Sequence, residues 1–143
     1  WQTYKNIIKG GNKMAAGFAV ALRNSRADAI TTFVGSAAKL EIYSGTQPAT
    51  GGAETTLLAT FTLGTPYAGS SSGGVLTGTL PADVNASATG TATWARKYKA
   101  DSTTFCMDLS VGTSGTQVIM NSVSLTAGVP CSITAITITE GNA

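Results

Sequence analysis

The chain has 143 residues, a formal net charge of +2 and only 11% charged side chains, with no histidine; typical soluble domains carry about 25% charged residues. That length fits a single domain with a self-supporting core. The lack of histidine removes the commonest general base and metal ligand, and the longest apolar run, Met14 to Leu22, falls far short of the ~20 residues that cross a bilayer.

The charge is unevenly placed. Lys5, Lys9, Lys13, Arg23 and Arg26 all precede the first acid, Asp28, so the first 26 residues carry +5 and the remainder −3. A basic arm on a slightly acidic body suits docking onto an acidic protein surface. Five spread charges with one nearby tyrosine make a poor phosphate-tracking stripe, so no direct nucleic-acid contact is expected. Sparse charge also removes the repulsion that keeps proteins monomeric. The surface is then either solvated by hydroxyls or covered by neighbours in an assembly.

Residues 1–21 show neither helical nor strand periodicity, and Gly10-Gly11-Asn12 interrupts them. They are expected to form an extended arm, with Lys5, Lys9, Lys13 and Phe18 as contact residues, and residues 22–143 to form one domain. A short helix is predicted over about 25–34. Ser25 with Asp28 resembles a capping box, Ala29, Ile30, Phe33 and Val34 make an apolar stripe, and Gly35 is a natural stop. Arg23 and Arg26 flank this helix as further docking charges.

After Gly35 the period becomes two. Leu40 and Ile42 alternate with Lys39, Glu41 and Tyr43, and Leu57, Ala59, Phe61 and Leu63 alternate with Leu58, Thr60 and Thr62, giving two half-buried strands. Loops at 45–52 and 67–74 separate these from each other and from a short strand at Val75 to Leu80. A strand at 92–99 follows, then one in which Phe105, Met107, Leu109 and Val111 share a face. Gly112-Thr-Ser-Gly115 predicts a hairpin into Val118 and Met120. The last strand, Cys131 to Thr139, changes phase between Ile133 and Ile136, as a bulge would require. Many short strands, one helix and no βαβ rhythm predict an all-β fold: an antiparallel, jelly-roll-like β-sandwich with one short N-terminal helix and an extended basic arm.

No catalytic pattern emerges. The seven acids are scattered, and Asp108 is expected to be a solvated or interface charge. Gly51-Gly52 and Gly73-Gly74 lack the Lys-Ser/Thr and following helix of a phosphate cradle. Cys106 and Cys131 have no metal-ligand spacing and are either two small buried thiols or one disulfide between facing strands. The chain is therefore expected to be a non-enzyme with no cofactor and no metal. Its most conspicuous local cluster is Trp94 with Arg96, Lys97 and Tyr98. Either this strand presents a cation–aromatic patch to a partner or a sugar, or Trp94 fills the core and the two bases are the strand's wet continuation.

The phrases Ala21-Leu-Arg-Asn-Ser-Arg-Ala-Asp-Ala-Ile30, Leu40-Glu-Ile-Tyr-Ser-Gly-Thr-Gln-Pro48, Gly90-Thr-Ala-Thr-Trp-Ala-Arg96, Leu109-Ser-Val-Gly-Thr-Ser-Gly115 and Ser132-Ile-Thr-Ala-Ile-Thr-Ile-Thr139 resemble small virion proteins of tailed phages and prophages, in particular the capsid cement (decoration) proteins of Bordetella podophage type. The resemblance covers residues from about 21 to the end. It implies a jelly-roll subunit that dimerises on the outer surface of the capsid and clamps the major capsid protein. A carbohydrate- or receptor-binding module using Trp94 and Tyr98 is the alternative expectation.

Overall fold

In the computed structural model, residues 17–141 are described; Lys5, Lys9 and Lys13, with most of the expected arm, lie outside them. The helix α1 runs Val20–Val34, so it begins five residues before Ser25 and takes in the last two residues assigned to the arm. Ser25 is not a cap. Its hydroxyl donates back to the Ala21 carbonyl at 3.0 Å, while Asp28 accepts the Ser71 N–H at 2.7 Å. The cap position belongs to Ala19, which makes no side-chain bond, so the preferred cap residues give no sign of the true start. Gly35, at φ +74°, ends the helix in a conformation that favours glycine.

The buried side of α1 differs from the predicted stripe. Ala27 and Val34 are buried and Ile30 packs on the core, whereas Ala29 and Phe33 face outward. Asn24 and Asp28, both polar, sit on the inward side because each satisfies a backbone N–H of the loop at 71–74.

Seven strands make one curled mixed sheet: β1 (Lys39–Tyr43), β2 (Leu57–Thr62), β3 (Val75–Thr77), β6 (Trp94–Tyr98), β7 (Phe105–Gly112), β8 (Val118–Met120) and β11 (Ile133–Thr139). Their order is β2-β1-β6-β7-β8-β11-β3. Two short ladders accompany it, β4 (Val84–Asn85) with β10 (Pro130–Cys131), and β5 (Gly90–Thr91) with β9 (Ser124–Leu125). The expected all-β, sandwich-like class holds, and the core gathers Leu40, Ile42, Phe61, Leu76, Met120 and Ile136.

The predicted hairpin at 112–115 does not form. Val111 and Gly112 lie beside Val118 and Ile119 in parallel, in a sheet whose other pairs are antiparallel. The Gln117 carboxamide oxygen accepts the Ser110 N–H at 2.8 Å and also the Ser110 hydroxyl. It takes the place of the backbone acceptor that an antiparallel return would offer, and the chain loops out to resume in the same direction.

Three register shifts set the faces. One lies in the β1–β2 pair, where Ile42 opposes Ala59 but Tyr43 opposes Leu57; Leu58 is the extra residue and is buried while Leu57 is exposed, the reverse of the expected alternation there. Another falls between Ile133 and Ala135 of β11, as the phase change predicted. The third lies in the β6–β7 pair, where Lys97 opposes Met107 but Tyr98 opposes Phe105. Cys106 is the extra residue, and Phe105 is thrown to the opposite face. The expected row of four is thus broken: Leu109 and Val111 are buried and Met107 packs on the core, while Phe105 lies over Arg96. Both cysteines are free thiols.

Candidate functional site

β6 is hydrogen-bonded on both sides, to β1 and to β7, and all five of its residues are buried. Neither expectation for its two bases is met. They are neither a presented patch nor a wet continuation, because each face of the strand is covered by a different layer.

On the core side, Lys97 stands between Leu40 of β1 and Met107 of β7. It is fully buried, and its Nζ lies 3.6 Å from the centroid of the Tyr67 ring with no hydrogen-bond partner. The ring face is an attractive contact for the ammonium. Burial pulls Lys97 down to about 7, opposed in part by the nearby Cys106. Tyr67 Oη is also buried without a partner, and burial pushes its pKa up.

On the other side, Trp94, Arg96 and Tyr98 share a face with Tyr43 and Glu41 of β1 and with Ser110, Asp108 and Phe105 of β7. The Arg96 guanidinium forks onto Asp108, at 2.7 Å from Nε to Oδ1 and 3.1 Å from Nη2 to Oδ2. Its remaining nitrogen donates to the Gly52 carbonyl at 2.9 Å and lies 3.7 Å from Glu54. The Trp94 and Phe105 rings bracket it at 5.2 and 5.3 Å. Asp108 is not solvated: its side chain is 2% exposed against 4% for Arg96, and it accepts the Gly51 N–H as well.

These bonds bind the loop at 44–56 down as a strap across the sheet. Trp94 Nε1 donates to Thr55 at 3.0 Å, its ring stacks on Tyr43 at 4.4 Å, and the Tyr98 hydroxyl donates to Glu54. Tyr43 donates to Glu41 at 2.5 Å. Hydrogen bonding to Asp108 raises the pKa of Arg96 still further. Burial, then the adjacent carboxylates, push Tyr43 and Tyr98 upward. Every nitrogen of Arg96 and both oxygens of Asp108 are engaged within the chain, so the pair fixes the loop.

The helix flank is likewise committed. Arg23 donates to the Glu140 carbonyl at 2.9 Å and to the Gly73 carbonyl at 2.6 Å, and Arg26 pairs with the Glu140 carboxylate at 3.0 Å while lying over the Phe18 ring at 5.2 Å. Gly74 sits directly beneath the Arg23 guanidinium, where a Cβ would come within 2.5 Å of it, and its φ of +80° also suits glycine. Arg26 keeps 48% of its side-chain exposure. Of the expected contact residues, then, Arg23, Arg96 and Lys97 are spent on internal bonds or burial, Tyr98 is covered, Phe18 is half-buried just before α1, and Arg26, paired with Glu140, keeps about half of its side-chain exposure.

A concavity of about 310 Å³ is lined by Ser110, Gly115, Thr116, Gln117, Thr137 and Thr139, with no ionisable side chain. Among the described residues no group of three or more His, Cys, Asp or Glu could hold a metal ion, and no helix is long and apolar enough to cross a membrane. The Arg96–Asp108 pair escaped notice in the sequence, yet a signal was there: the two stand equally far on either side of Ser102 in the β6–β7 turn. Opposite charges placed symmetrically about a turn are cross-strand neighbours. Comparison of the chain with protein-family models, with curated proteins and with solved structures found no match.

Proposed function

We propose that the chain is a structural virion subunit: a capsid cement or decoration protein that sits on the outer surface of a tailed-phage head, bridges neighbouring major capsid subunits and associates as a homodimer. The observation that carries this reading is the inward commitment of the charged side chains of β6 and β7. Arg96, Asp108 and Glu54 hold the strap, and Lys97 is sealed in the core. What the described residues leave outside is a weakly charged, hydroxyl-rich body carrying a helix with exposed apolar side chains, and the sequence leading into that helix is basic. Such a body suits passive docking in many copies, where modest interfaces repeated over one shell add up. The sequence resemblance points the same way.

The carbohydrate-binding reading drew on Trp94 and Tyr98. Trp94 has no exposed surface and Tyr98 is 9% exposed, beneath the strap, so the stacking platform that reading requires is not presented to solvent.

The test is composition and mechanics of particles. Mass spectrometry of virions from a phage or lysogen carrying the gene should find the chain at a copy number comparable to that of the major capsid protein. Deleting the gene should leave heads that assemble and package DNA but rupture at lower temperature or weaker osmotic shock. Absence from virions, or deletion heads as robust as the wild type, would refute the proposal.

A further inference from the structure

Six large apolar side chains stand exposed among the described residues, and three of them, Val20, Leu22 and Phe33, lie on α1. Val20 is in the first turn. Leu22, Arg26, Ala29 and Phe33 follow at i, i+4, i+7 and i+11, which places them in one row along the helix. This row lies opposite Ala27 and Val34, which the core buries. Leu22 is 48% and Phe33 51% exposed.

The row is apolar with cations set into it. Arg26 lies at its middle, and Lys99, reaching across from the end of β6, places its Nζ 4.3 Å from the Phe33 ring centroid. No acid belongs to the row. Asp28 is turned to the Ser71 N–H, and Glu140 reaches Arg26 from the sheet side. The sequence leading into α1 adds Lys5, Lys9 and Lys13 and no acid before Asp28. An apolar strip with Lys99 at its end and at its centre a half-exposed Arg26 that shares Glu140, preceded in sequence by lysines and no acid, is complementary to a segment that offers apolar side chains along one line and carboxylates beside them. A second copy fits less well, because an antiparallel two-fold pairing of the row brings the two Arg26 side chains within a turn of each other at the axis.

We infer that the outward row Leu22, Arg26, Ala29 and Phe33, with Lys99 at its end, is a docking face for an apolar, acidic segment of a partner protein. The inference takes from the cement reading only that the chain works by docking. The probe is a labelled amphipathic helical peptide of leucine and glutamate, with its leucine and lysine counterpart as control, titrated against the full chain and followed by fluorescence anisotropy. The wild type binds the acidic peptide at least about tenfold more tightly than the basic one, and Leu22→Glu with Phe33→Glu removes that margin. Lys99→Glu, which changes no residue of the helix itself, weakens acidic-peptide binding several-fold, and Thr60→Glu, on the exposed side of β2, changes nothing. Equal binding of the two peptides, or indifference to all substitutions on the row, overturns the inference. So does a dimer in sedimentation that the Leu22 and Phe33 substitutions dissolve, since the face would then belong to a second copy. The peptide titration decides the row, while virion composition separately decides the cement reading, so either can fail without the other.

Discussion

Replacing Lys97 with Met should make the protein more stable. Lys97 is fully buried with no hydrogen-bond partner, and burial moves its pKa from the ordinary 10.5 to about 7. Each tenfold loss of proton affinity corresponds to about 1.4 kcal/mol, so the charged form costs on the order of 5 kcal/mol in this site. The Tyr67 ring returns about 2 kcal/mol of that through its face. Met has a similar length and no charge, so Lys97→Met should gain about 3 kcal/mol near neutral pH. The sign with pH follows from proton counting. Between about 7 and 10.5 the unfolded lysine holds its proton and the folded one has lost it, so wild-type stability rises with pH across that window and is flat below it. Cys106 and Cys131, whose pKa values burial raises, work the other way near the top of the window. Cys131 does so in both proteins, but Cys106 is coupled to Lys97, so the difference between wild type and variant isolates Lys97 in the lower part of the window, below the ordinary thiol range. Urea denaturation at several pH values from 6 to 10 measures it; a variant less stable than wild type, or one with the same pH slope, would refute the reasoning.

Arg96→Ala should cost about 3–5 kcal/mol, because it strands the buried Asp108 carboxylate, and it should free the strap at 44–56 to rapid hydrogen exchange; Arg96→Lys should not restore protection, since the ammonium cannot fork onto both oxygens and reach Gly52. Leu109→Ala should cost about 2–5 kcal/mol by opening the core, against about 1 kcal/mol for Ser110→Ala, which loses a hydroxyl bond to Gln117; denaturant melts compare the two. Gly74→Ala should destabilise through both its backbone conformation and the Arg23 guanidinium above it, and limited proteolysis should then release α1 before the sheet unfolds.

What could be read from the sequence was what repeats locally. β1, β2 and β7 declared themselves through alternation at Leu40 and Ile42, at Ala59 and Phe61, and at Leu109 and Val111, and the β11 bulge through its change of phase. The early start of α1 was hidden because Ala19 leaves no capping signature, and because Val20, Ala21 and Leu22 carry the same apolar character as the segment before them. The double burial of β6 was hidden for a different reason. Arg96 and Lys97 are types that normally seek water, and what satisfies them comes from distant parts of the chain: Gly52 and Glu54 in the strap for one, the Tyr67 ring for the other. The one-residue shift at Cys106 is equally silent in a periodicity count, yet it decides that Phe105 covers Arg96 and does not join the core.

The clasp between α1 and the far side of the sheet has a mechanical meaning. Tension applied to the leading segment enters at the start of α1, and the helix cannot simply peel away, because Arg23, Asn24, Arg26 and Asp28 hold the 71–74 loop and Glu140 at the same time. Bonds loaded side by side must yield together, whereas those of a strand peeled from its edge yield one after another. The pull is therefore passed sideways into β3 and β11, at the opposite edge of the sheet from β2, before it can reach β1, which follows α1 in the chain and lies next to β6. A subunit held by its leading segment would strain first at this clasp, and the strap and the sealed lysine would stay slack.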